Sequence, residues 1–158
     1  MADFKKQFGQ FFTINSDQIL KNLGKYVKDK NVIDPFAGNG DLIRWAKENG
    51  ADEALILNPD GSISETNTAN ILVIKGKRVI KPVSPHALPG IMEEAVRAFL
   101  SGMEYSMEKR KIFPEEILSA DRVILTNSLM GAVPALRIDE KKLADSSKLC
   151  TKINMELF

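Results

Sequence analysis

The sequence predicts an α/β fold, and three observations carry that expectation. Short β-branched runs recur at Ile71–Ile74, Val79–Ile80 and Val123–Thr126, each bounded by turn-forming residues. Helical spacing appears through Ile91, Ala95, Val96 and Phe99. Gly38 and Gly40 separate a short apolar run from a segment that reads as a helix, the pattern of a strand–turn–helix unit.

Taken in order, Ser16 or Asn15 can cap a helix from about Asp17 to Asp29, with Ile19, Leu20, Leu23 and Val27 on one face. Asn31–Asp34 reads as a short buried strand, followed by the glycine turn. Asp41–Glu48 reads as a helix that Asn49-Gly50 ends. Ala54–Leu57 is a second strand, stopped by Asn58-Pro59-Asp60-Gly61, a strong turn signal. Ile71–Ile74 and Val79–Ile80 flank a turn at Lys75-Gly76-Lys77. A helix covers Ile91–Leu100, and a short one follows Pro114, where Glu115 and Glu116 suit the positive end of the helix dipole. Val123–Thr126 and Val133–Ile138 are the last strands.

Bulk properties exclude several classes. The chain has 158 residues, enough for one ordinary core, with 44% hydrophobic and 27% charged residues. A formal charge of +1 gives no global attraction to nucleic acid or to an anionic membrane. Cys150 is the lone cysteine and His86 the lone histidine, which excludes an intrachain disulfide and argues against zinc. Lys5, Lys6, Gln7 and Gln10 interrupt the early phenylalanines, so no signal peptide is expected. No apolar run is long enough to span a bilayer, and the expected location is cytoplasmic. His86, in a loop, is expected to be solvated, and Trp45, Tyr26 and Tyr105 to be core or boundary residues.

Two blocks carry chemistry. The first is Asp34-Pro35-Phe36-Ala37-Gly38-Asn39-Gly40-Asp41, preceded by Phe8-Gly9-Gln10-Phe11-Phe12-Thr13. Glycines let a backbone approach a nucleoside, and helix N-terminal N–H groups then face it. Together these segments resemble the cofactor-binding opening of DNA adenine methyltransferases. The resemblance implies a Rossmann-like strand–turn–helix that holds S-adenosylmethionine through Asp34, Phe36, Gly38 and Gly40. Asn58 or Asp60, roughly 20 residues on, would hold the ribose hydroxyls. That family also needs an Asn/Asp-Pro-Pro-aromatic segment to seat the adenine, and no Pro-Pro pair exists in this chain. Methylation of DNA is therefore not expected.

The second block runs over residues 50–139. Ser64-Glu65-Thr66-Asn67-Thr68-Ala69-Asn70, then Leu88-Pro89-Gly90-Ile91, then Thr126-Asn127-Ser128-Leu129 resemble, in order, the C-terminal part of class IV (fold type IV) pyridoxal-phosphate enzymes. That group includes branched-chain aminotransferases and aminodeoxychorismate lyases. The resemblance implies that Glu65 meets the pyridine nitrogen, where a carboxylate keeps the ring protonated and electron-withdrawing. It implies phosphate contacts from the N–H groups of Ile91 and Met92, the hydroxyl of Ser128 and the N–H of Leu129. Two departures weaken it. The family usually has Thr-Arg where this chain has Met92-Glu93, so a hydroxyl is lost and Glu93 is expected to set a negative charge near the phosphate. The lysine that bonds the cofactor should precede Glu65, in a region that the methyltransferase-like sequence occupies. A gapless count reaches Lys30 or Asn31, without the family's pattern, and Lys30 reads as a solvated helix-end lysine.

The expected organisation is a methyltransferase-like segment over 1–49 joined to a class IV-like α/β domain over 50–158. The helix Asp41–Glu48 would stand in for the one that ordinarily precedes Ala54–Leu57, so that one sheet continues across the join. The expected function is a hybrid or truncated class IV pyridoxal-phosphate protein with impaired catalysis and no catalytic residue of its own. Pyridoxal phosphate would bind weakly and without a covalent bond. The alternatives are an S-adenosylmethionine-binding fragment or a recombined scaffold without activity. Exposed apolar surface is expected to make the chain a homo-oligomer.

Overall fold

A computed structural model describes Ile33–Asp34, residues 52–138 and residues 141–157. The expected helices at 17–29 and 41–48 and the glycine turn, with Phe36, Gly38 and Gly40, lie outside the described residues, as do Lys30, Tyr26 and Trp45.

Strands β1 (Ile33–Asp34), β2 (Leu55–Leu57) and β3 (Ile63–Thr66) form a three-stranded sheet in that order. β1 runs parallel to β2, with Ile33 opposite Leu55. The pairing crosses the join expected near residue 50. β2 and β3 run antiparallel around the Asn58–Gly61 turn, where Gly61 sits at φ +81°, a conformation that a side chain would strain. Asn58 and Asp60 build this turn. The Asn58 side-chain amide donates to Ser62 Oγ and to the Ile63 carbonyl, and Asp60 accepts from the Ser62 N–H and hydroxyl and from Lys111. These contacts hold the Asp60 carboxyl well below the usual carboxylate range, with the Lys111 bond the largest cause.

The main sheet holds β4 (Asn70–Lys75), β5 (Arg78–Pro82), β6 (Ser106–Arg110), β7 (Arg122–Asn127) and β8 (Gly131–Ala135), in the order β6-β5-β4-β7-β8. β4, at the centre, buries Ile71, Leu72, Val73 and Ile74 in succession, the mark of a strand covered on both faces. Alternate residues serve opposite cores. Ile71, Val73, Ile80, Val123 and Leu125 join Ile63, Ile112 and Ile117 on one face. Leu72, Ile74, Val79 and Ile124 face helices α1 (Ile91–Gly102) and α3 (Ser147–Leu157) on the other. Truncating a fully buried Leu72 to Ala would cost about 2–5 kcal/mol. Helix α2 (Pro114–Leu118) follows Phe113, whose N–H donates to Glu116. β9 (Arg137–Ile138) and β10 (Lys141–Lys142) form a separate pair.

The sequence-based expectation did not include β3, β10, β6 or α3, and the last two are the larger additions to the main sheet and its cover. β6 reads Ser-Met-Glu-Lys-Arg and pairs parallel with β5 at the sheet edge, which α1 makes possible by crossing between them. α3 packs Cys150 and Ile153 into the second core, and its Asn154 both accepts from the Ala132 N–H and donates to the Ala132 carbonyl. That pair satisfies backbone groups on the outermost strand, β8.

Candidate functional site

At one end of the main sheet, β3 turns into β4 through a tight link. The Thr66 N–H donates to the Ala69 carbonyl, and the Ala69 N–H donates back to Thr66 Oγ1 at 3.0 Å. Glu65 and Asn70 flank this link, and the Asn70 amide donates to Glu65 Oε2 at 3.3 Å. Asn70 stands opposite Thr126 on β7. The Asn127 amide reaches back to the Thr68 carbonyl at 3.1 Å. Three sequence blocks that lie far apart in the chain thus meet around a cavity of about 180 Å³, lined by Glu65, Asn70, Leu88, Thr126 and Asn127 among others.

A larger cavity of about 250 Å³ opens on the first core, with Leu55, Ile71, Ile117, Val123 and Leu125 among its lining residues. Its floor is packing surface of the core. The smaller cavity gathers convergent polar groups, which is what orients a ligand, and it is the candidate site.

Inside it, burial pushes the Glu65 carboxyl above its ordinary range, and a hydrogen bond from the Leu88 N–H partly offsets that. Thr126 is fully buried, and its hydroxyl has no hydrogen-bond partner among the described residues. A buried, unpaired hydroxyl costs about 1–3 kcal/mol, so its presence beside a cavity points to a ligand that satisfies it. Gly90 packs against Asn70, and a Cβ built there would lie 1.9 Å from Asn70 Oδ1, so a side chain at position 90 would displace the Asn70 amide.

Of the five residues that the second resemblance assigned, Glu65 lines the cavity and Ile91, Met92, Ser128 and Leu129 do not. Ile91 and Met92 open α1, and no side chain caps Gly90, so the first-turn N–H groups have no partner within the helix. Ile91 itself is exposed, whereas Met92 packs against the second core. Ser128 is exposed, and Leu129 is 96% exposed at the tip of the β7–β8 hairpin. The Leu129 N–H, expected to meet phosphate, donates to Asn127 Oδ1 at 3.0 Å, and the Met130 N–H does the same at 2.7 Å. Sequence reasoning placed Asn70, Thr126 and Asn127 within its motifs but gave them no role. A polar residue at the end of the apolar run Val123–Leu125 was the available signal for Thr126.

Glu93 departs from the expected picture. It is 1% exposed and ion-paired with both Lys81 on β5 and Arg97 one turn along α1. Its charge is therefore matched by two cations instead of standing free near an anion. His86 is exposed as expected, and Tyr105 packs on the second core with the Lys77 ammonium 4.7 Å from its ring centre. Cys150 is buried, which pushes its thiol up to about 11 and keeps it unreactive. Among the described residues no cluster could hold a metal, and no helix is long and apolar enough to cross a membrane.

Comparison with known proteins shows the family. The profile of the Amino-transferase class IV family matches residues 37–138, and the chain belongs to that family. A probable branched-chain-amino-acid aminotransferase of Aquifex aeolicus is 36% identical over 99 residues, covering 61% of this chain and 32% of the relative. A branched-chain-amino-acid aminotransferase-like protein of Arabidopsis thaliana is 33% identical over 94 residues, 60% of this chain and 17% of the relative. Among solved structures, an aminotransferase from Brucella abortus bound to pyridoxal phosphate superposes with a TM-score of 0.68 at 28% identity, over 76% of this chain and 44% of that one. A putative 4-amino-4-deoxychorismate lyase from Legionella pneumophila gives 0.65 at 30% identity, over 72% and 43%. The chain spans a third or less of these two curated relatives. The match begins inside the block read as methyltransferase-like, and these comparisons lend that resemblance no support.

Proposed function

We propose that this chain binds pyridoxal phosphate in the cavity between β3, β4, β7 and the segment that leads into α1. The observation that carries the proposal is that the buried, unpartnered Thr126 hydroxyl and the desolvated Glu65 belong to residues lining one cavity of about 180 Å³. The residues present fit the group. Glu65 would hold a proton on the pyridine nitrogen, and the ring interaction would in turn stabilise the ionised carboxylate. Thr126 and the free N–H groups at the start of α1 would take the phosphate, supplemented by Ser128. When bound, the cofactor supplies an electron sink for amino-group chemistry. This chain's residues bind it, orient its ring and keep water from one face.

Catalysis is expected to be impaired. The family match begins at residue 37, after Lys30, and no lysine lines the cavity among the described residues. The apolar side chains of Leu88, Ile91 and Leu129 are exposed, which favours a homo-oligomer that covers them. A fluorescence titration with pyridoxal phosphate should give saturable binding weaker than in a complete class IV enzyme. Borohydride reduction of the mixture should leave no stoichiometric adduct in the intact mass. An adduct on a single lysine would overturn the expectation of impaired chemistry, and absence of saturation would overturn the cofactor assignment.

A further inference from the structure

We infer that Asn70 is a positioning residue that locks the ring-binding acid and the phosphate-binding helix start into one unit. The inference rests on the cofactor reading above, and it goes beyond it by tying two half-sites to a side chain that none of the expected contacts includes.

Asn70 begins β4, immediately after the Thr66–Ala69 link, and its side chain projects toward both halves of the cavity. Its amide donates to Glu65 Oε2 at 3.3 Å and to the Leu88 carbonyl at 2.9 Å. One amide thus ties the Glu65 carboxylate to the Leu88 carbonyl. Pro89 follows and has no N–H, so the segment leading into α1 cannot be anchored by a donor at that position. Gly90 comes next, and its α-carbon packs so tightly on Asn70 Oδ1 that a Cβ would fall 1.9 Å away. Asn70 thus fixes residues 88–90 from two directions, by a donated bond and by contact. Ile91, the first residue of α1, inherits that position.

The shape of the amide matters to this task. One side of the group must donate to a carboxylate and a carbonyl, and the other must present a small, flat acceptor edge to Gly90. Aspartate has the same outline but lacks the donors, and it would set a second negative charge beside Glu65. Alanine would remove both the bond to Leu88 and the contact with Gly90. Either change should loosen both half-sites together, whereas loss of Glu65 alone should touch the ring and spare the phosphate.

The test uses the full chain and three probes: pyridoxal phosphate, pyridoxal without its phosphate, and inorganic phosphate. Asn70→Ala should weaken the binding of both pyridoxal and phosphate, about tenfold each, as expected for roughly 1.4 kcal/mol of lost anchoring at each half-site. Glu65→Gln should weaken pyridoxal and leave phosphate unchanged. Independently of any ligand, carboxyl-carbon NMR should show the Glu65 titration moving to higher pH in Asn70→Ala, because a donor to the ionised form is gone. The shift should be larger in Asn70→Asp, which also serves if the alanine variant fails to fold. If the wild type binds none of the probes, the cofactor reading fails and the Glu65 titration alone decides the clamp. An unchanged titration, or a folded Asn70 variant that loses pyridoxal but keeps full phosphate affinity, would overturn it.

Discussion

The two ends of the cavity are built differently. At the β3–β4 end, Glu65 and Asn70 flank a link closed by hydrogen bonds, and Asn70 directs its amide at Glu65 and at Leu88. At the β7–β8 end, Asn127 turns its oxygen back on the N–H groups of Leu129 and Met130 and leaves Ser128 and Leu129 exposed. One end has its polar groups facing the cavity. The other satisfies them within the hairpin. The matching motif at Thr126–Leu129 therefore specifies a loop position, while the donor assigned to the ligand is already in use. The difference also separates two kinds of burial. Glu65 is held by partners, and the Thr126 hydroxyl has none.

The first way to break this comparison is to remove the acid. Glu65→Gln should lower pyridoxal-phosphate affinity about ten- to hundredfold, the value of one charge-assisted hydrogen bond. The ligand-free protein should respond in the opposite direction. Burial raises the Glu65 pKa above its unfolded value, so its contribution to stability is fully present at pH below the ordinary carboxylate range. That contribution is lost as pH rises through the raised value. At neutral pH the Gln variant should therefore melt higher than wild type, and in acid the two should converge. Equal melting temperatures at neutral pH would mean that Glu65 is solvated and not part of a dry cavity.

Much of this architecture was legible because the core strands announce themselves. Ile71–Ile74 and Val123–Thr126 are β-branched or apolar runs bounded by turns, and they became β4 and β7. The Gly76 turn, at φ +58°, and the helix at Ile91 were equally plain. β6 was not, because an edge strand of Ser-Met-Glu-Lys-Arg has no apolar alternation and gains its order from parallel pairing with β5. α3 was readable in principle: Leu149, Cys150, Ile153 and Leu157 recur at helical spacing and pack on the second core. The site divides in the same manner. Glu65 followed from a motif, but the clamp of Asn70 on Leu88 joins residues 18 positions apart, and no local pattern encodes it. The neutralisation of Glu93 was half visible. Arg97 lies one helical turn away, while Lys81 comes from another element.

A second test targets the unpartnered hydroxyl. Thr126→Val replaces it with a methyl of nearly the same size, at a position fully buried on β7. Without ligand, removing an unsatisfied polar group should stabilise the chain by about 1 kcal/mol in a urea melt. With ligand, the same change should reduce pyridoxal-phosphate affinity about tenfold, because the partner that the phosphate would give the hydroxyl is gone. Opposite signs for stability and binding are the signature of a group kept for function. A loss of stability would instead mean that Thr126 already has a partner in the folded protein.

The smallest effect is expected at the other end of the cavity, where Asn127 holds the hairpin closed. Asn127→Ala removes the acceptor for the Leu129 and Met130 N–H groups and the donor to Thr68. Leu129 and Met130 are exposed, so water can replace their lost acceptor, and destabilisation should stay near 1 kcal/mol. Binding is where the two ends of the cavity can be told apart. If Asn127 competes with phosphate for the Leu129 N–H, its removal should release a donor and raise affinity for inorganic phosphate about two- to threefold, a gain of roughly half a kcal/mol. If Asn127 instead preorganises the loop for phosphate, affinity should fall by a similar factor. Backbone amide shifts of Leu129 on phosphate addition decide between them. Movement in Asn127→Ala that is absent in the wild type would show that the hairpin's donor is blocked by its own side chain.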